Sequence, residues 1–62
     1  MTMLRKIAQK VSQTMPTTSD RYDQIWAIKQ ELKANGFNLL ATDRETIDNV
    51  LDILFDEYAF NG

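Results

Sequence analysis

The 62-residue chain is a single small domain, mildly acidic at net −2, with no cysteine and no histidine. Those absences exclude disulfide or thiolate-metal stapling and remove the usual zinc ligand and the usual general base. A domain this short buries only about 60% of the surface its unfolded chain exposes, so a partner or an oligomer is a natural way to complete the core.

Charge is unevenly placed. Residues 1–19 carry Arg5, Lys6 and Lys10 and no acid, whereas residues 20–62 carry Arg21, Lys29, Lys33 and Arg44 against all nine acids. A basic head on an acidic body can pair across a dimer, offer two patches to partners, or be a solvated mixed surface. One Pro and two Gly are too few breakers for a many-turned β fold. No apolar run of about 18 residues predicts a membrane span. Residues 1–15 lack the contiguous apolar region of a secretory signal, so the expected location is cytoplasmic.

The first predicted helix covers about 3–15. Leu4, Ile7, Ala8, Val11 and Met15 form one narrow stripe, with Arg5, Lys6 and Lys10 away from it. Pro16 ends it, because the residue before proline is pushed out of the α region. Thr17, Thr18 and Ser19 are then candidate N-caps, with Asp20 and Asp23 in the first turns of a second helix over about 19–35. Gly36 is a good residue to stop that helix, and Ile25, Ile28 and Leu32 are its expected core stripe. Phe37, Leu39 and Leu40, in a short apolar connector, are expected to plug the end of the core.

The third helix, about 43–60, has the strongest signals. Thr42 and Glu45 read as a capping box, and Asp43 adds favourable charge in the first turn. Ile47, Val50, Leu51, Leu54 and Tyr58 follow at helical spacing. With Ile53 and Phe55 the apolar arc spans about 200°, wider than the ~100° of an ordinary surface helix. Two explanations fit: a central helix touching both others, or a surface in which Ile53, Phe55 and Phe60 meet another subunit. The expected architecture is an all-α three-helix domain, a homodimer, with the third helix central. Its expected core is Leu4, Ile7, Val11, Ile25, Ile28, Leu32, Leu40, Ile47, Val50, Leu51 and Leu54, and Phe60, Asn61 and Gly62 are expected to be a frayed terminus.

Two surface features stand out. Glu45, Asp48, Asp52 and Asp56 form a row of acids, the aspartates about 6 Å apart along the helix and with no base in the helix expected to relieve them. The row is either a solvated face or an acidic surface for a basic groove on a partner protein, which it could enter as a nucleic-acid mimic. Calcium is disfavoured, because its usual loops wrap oxygens from irregular backbone. Tyr22, Trp26, Lys29 and Lys33 make a second strip. It can be a protein-binding hot spot, a nucleic-acid platform that works with the basic first helix, or a packed Trp26 beneath lysine stems. A helix-turn-helix reading fails, since the recognition face would be acidic.

No pocket-lining carboxylate pair, activated nucleophile or glycine-rich phosphate loop is recognisable, so no catalytic, metal or cofactor role is expected. The expected function is non-catalytic regulation or inhibition by occupying a partner's surface through the acidic face. The alternative is a nucleic-acid-binding module built on the strip.

Overall fold

The computed structural model describes residues 2–38 and 44–61, which form α1 (Met3–Thr14), α2 (Arg21–Ala34) and α3 (Arg44–Tyr58), with no strand among them. Leu39, Leu40, Thr42 and Asp43 lie outside the described residues, and with them the expected capping box and part of the apolar plug.

Each described helix end has a local chemical cause. Thr2 caps α1, its hydroxyl accepting from the Arg5 N–H at 3.3 Å. Met15, just before Pro16, turns to extended backbone and stops the helix. A tight turn follows, in which the Ser19 N–H and hydroxyl both donate to the Pro16 carbonyl, at 3.1 and 2.6 Å. The cap of α2 is then Asp20, not the preceding threonines or serine: its carboxylate accepts from the Asp23 N–H at 3.0 Å. With its hydroxyl turned back on Pro16, Ser19 serves the turn instead. At the far end Gly36 adopts φ +88°, the Phe37 N–H donates to Leu32 O, and the Gly36 N–H donates to Lys33 O. This paired arrangement closes the helix and carries Phe37 onto the core.

The core is built from Ile7, Ala8, Val11, Ala27, Ile28, Leu32, Val50, Leu54 and Phe60, with Leu4, Met15, Phe37, Ile47, Leu51, Ile53 and Tyr58 packed around it. Of the expected stripe of α2, Ile28 and Leu32 are buried but Ile25 is only half-buried, and the helix buries Gln24 and Ala27 as well. The helix is rotated from the expected stripe toward its smaller and more polar side.

As expected of a central helix, α3 touches both of the others. The α1–α3 contact is the most extensive, α1–α2 is next and α2–α3 the slightest, so α1 makes the largest share of the contacts between helices. That suits its composition: Ile7, Ala8 and Val11 present a narrow, smooth apolar ridge that two helices can approach.

The end of the chain departs furthest from expectation. α3 stops at Tyr58, Ala59 takes φ +58°, and Phe60 turns inward to 3% exposure, its N–H donating to Leu54 O at 3.1 Å. Asn61 is held on both sides. Its N–H donates to Thr17 O at 3.0 Å, and its carbonyl accepts from the Gln24 amide at 3.2 Å. The same Gln24 amide donates to Ser19 O at 2.7 Å, which explains how a glutamine is buried at 2% exposure. The expected fraying does not occur at Phe60 and Asn61; this segment fastens the end of α3 to the α1–α2 turn.

Candidate functional site

Two helix faces are presented to solvent. On α3, Glu45, Asp52 and Asp56 are exposed on the side opposite Val50 and Leu54, and Asp48 sits at the margin of that face. The row is partly relieved from within its own helix, contrary to expectation. Arg44 lies one turn before Asp48, with its Nε 4.0 Å from the carboxylate. With the Arg44 side chain 86% exposed, that contact is weak. Glu45, Asp52 and Asp56 have no cation within 4.0 Å among the described residues.

On α2, Tyr22, Trp26, Lys29 and Lys33 share the outer face, turned away from the buried Gln24, Ala27, Ile28 and Leu32. Tyr22 is 85% and Trp26 64% exposed. Trp26 is therefore more exposed than the half-buried packing residue that the sequence also allows. It borders an open depression whose other walls include Met15, Pro16, Asp20 and Asp23.

The residues expected at an oligomer interface separate. Phe60 is in the core, Ile53 is half-buried against it, and Phe55 alone remains largely exposed. The wide apolar arc of α3 is thus largely consumed within the monomer, because α1, the Phe60 turn and the flank of α2 cover different parts of it. Phe55 edges a recess of about 80 Å³ between α2 and α3, together with Arg21, Gln24, Leu51, Asp52 and Asn61. That is well below the ~300 Å³ at which small-molecule pockets begin.

The basic head is partly neutralised at home. Arg5 Nη1 of α1 lies 2.6 Å from Glu57 Oε1 of α3, with both side chains about half exposed. Lys6 and Lys10 stay exposed without such a partner among the described residues. The Arg5–Glu57 pair and Gln24 had no sequence signature, since each depends on segments far apart in the chain. Among the described residues, no three metal-ligating side chains converge and no helix is long and apolar enough to cross a membrane.

These features define a small all-helical domain whose distinctive groups are on exposed helix faces. Compared with protein families, curated proteins and solved structures, the chain matches none of them. A three-helix fold carries no function by itself, so the reading rests on those faces.

Proposed function

We propose that the protein is a non-catalytic regulator that occupies a basic surface on a partner protein through the acidic face of α3. The observation that carries this reading is the exposure of Glu45, Asp52 and Asp56 without a neighbouring cation among the described residues. Asp48, Asp52 and Asp56, one turn apart, repel by a few tenths of a kcal/mol, so these three do not help the helix form. Opposite a basic groove the same charges speed encounter and fix register. The regular spacing along a rod-like helix also fits a groove that otherwise holds a nucleic-acid backbone.

The test is capture from native lysate by the wild type beside the Asp48→Asn, Asp52→Asn, Asp56→Asn triple variant, with helicity checked by circular dichroism. The partner should be lost from the variant, and duplex DNA should compete for it with the wild type. Equal recovery by the two proteins would assign the row to solvation alone.

A second reading is favoured by the exposure of Tyr22 and Trp26: a nucleic-acid platform using stacking on the aromatics and phosphate contacts from Lys29 and Lys33. Asp20 and Asp23 beside Trp26 oppose it. It requires a probe shift at low salt that falls steeply as salt rises and disappears in the Lys29→Ala, Lys33→Ala variant.

A further inference from the structure

We propose that Asn35–Gly36 is a deamidation site that the cap of α2 holds closed, so that it is modified only when that cap opens. The chain has two glycines, and each follows an asparagine, at Asn35–Gly36 and Asn61–Gly62. Deamidation begins when the backbone nitrogen of the next residue attacks the asparagine side chain. Glycine leaves that nitrogen uncrowded and the backbone free to turn. Asn38 and Asn49 are followed by Leu39 and Val50, whose branched side chains crowd the same approach.

The reaction needs water and no other reactant. The Gly36 nitrogen gives up its proton and bonds to Cγ of Asn35. The Cγ–Nδ2 bond breaks, and ammonia leaves carrying a proton in place of the one lost, so the product is a cyclic imide. One water then opens the ring. Addition at the side-chain carbonyl leaves aspartate; addition at the backbone carbonyl leaves isoaspartate, with the chain rerouted through the side chain. Either product makes the net charge of −2 one unit more negative.

Solvent access does not protect the pair. Both residues are exposed, and an added Cβ at Gly36 would meet nothing within 4 Å. Geometry protects it instead. Asn35 has a ψ of 14°, which almost eclipses the Gly36 nitrogen with the nitrogen of Asn35 itself and turns it away from Cβ. Ring closure requires that nitrogen to swing round to the side chain. Three hydrogen bonds oppose the swing. Asn35 Nδ2 donates to Glu31 O at 2.7 Å and so holds the leaving group. The Gly36 N–H donates to Lys33 O at 3.1 Å and so holds the nucleophile. The Phe37 N–H donates to Leu32 O at 3.0 Å, and its ring packs against the core, which holds the chain beyond.

The products weaken the cap that had delayed them. A carboxylate has no N–H to donate to Glu31 O, and it places negative charge at the negative end of the helix. Isoaspartate also lengthens the backbone inside the turn that Gly36 closes. This inference concerns α2 alone and is independent of the acidic face of α3.

The test incubates the full-length protein at mildly alkaline pH, in native buffer and in guanidinium chloride, over one time course. Trypsin then isolates residues 34–44, which carry Asn35, and tandem mass spectrometry locates the change of amide to acid. Conversion at Asn35 should be slower in native buffer by about tenfold or more, as for a cap open less than about a tenth of the time. Phe37→Ala removes the apolar contact behind the cap. It should bring the native rate most of the way to the denatured one while circular dichroism still shows helix. If that variant does not fold, the wild-type comparison decides. Equal rates in the two solvents, no conversion at Asn35 in the denaturant, or a helical Phe37→Ala protein as slow as the wild type would each overturn the proposal.

Discussion

Gly36 and Ala59 occupy the same left-handed backbone region, with φ of +88° and +58°, but only one has the side chain suited to it. At Gly36 an added Cβ would meet nothing within 4 Å. Gly36→Ala should therefore cost about 1–2 kcal/mol through backbone strain alone. Ala59→Gly should do the reverse and stabilise by about 0.5–1 kcal/mol, since alanine there already bears the strain. Urea denaturation of the two variants checks both signs. Gly36 was readable in advance, because a glycine closing an apolar helical stretch has one common use. Ala59 was not: alanine is the best helix former, and the preceding residues carry the helical pattern straight through it. What stops the helix is the burial available to Phe60, a gain that no local propensity records. Phe60→Ala should accordingly cost about 3–5 kcal/mol.

The three helices themselves were legible in outline, because α1 and α3 repeat apolar residues at helical spacing and Pro16 and Gly36 punctuate them. The orientation of α2 was not. It carries Ile25, Ile28 and Leu32 on one stripe, but Tyr22 and Trp26 are also apolar, so its hydrophobicity is spread around the axis. The actual rotation satisfies Gln24 with two carbonyls and leaves Trp26 outside. Gln24→Leu should then destabilise by about 1–3 kcal/mol despite adding hydrophobicity, because both carbonyls lose their side-chain donor. A thermal melt of that variant, set beside Arg5→Ala, separates buried from exposed polar contacts. The Arg5 variant should lose less than about 1 kcal/mol, with the difference shrinking as salt is added.

For the molecule as a whole, a net stability of about 3–9 kcal/mol is the range for a chain of this size. Leu54→Ala, at a fully buried position, should remove about 2–5 kcal/mol of that. A near-neutral result in chemical denaturation would mean that α3 faces the other way. The acidic row and the aromatic strip were both visible as patterns, since each needs only helical periodicity. Which groups stay free depended on the tertiary arrangement, as Arg44 beside Asp48 and Glu57 beside Arg5 illustrate.

The fastening of Asn61 between Thr17 and Gln24 has a kinetic side. The principal contact joins the first and last helices, and the chain end closes over the first turn between helices. The most extensive contact therefore forms only once α3 has docked, and folding should be a single cooperative event. Chain ends ordinarily exchange their amide hydrogens within moments, as terminal residues open at almost no free-energy cost. Here the amides of Phe60 and Asn61 should instead exchange on the timescale of global unfolding, alongside those of Val11 and Leu54. Native-state hydrogen exchange would read this directly, and rapid exchange at Asn61 with slow exchange at Leu54 would show that the tail opens independently of the core.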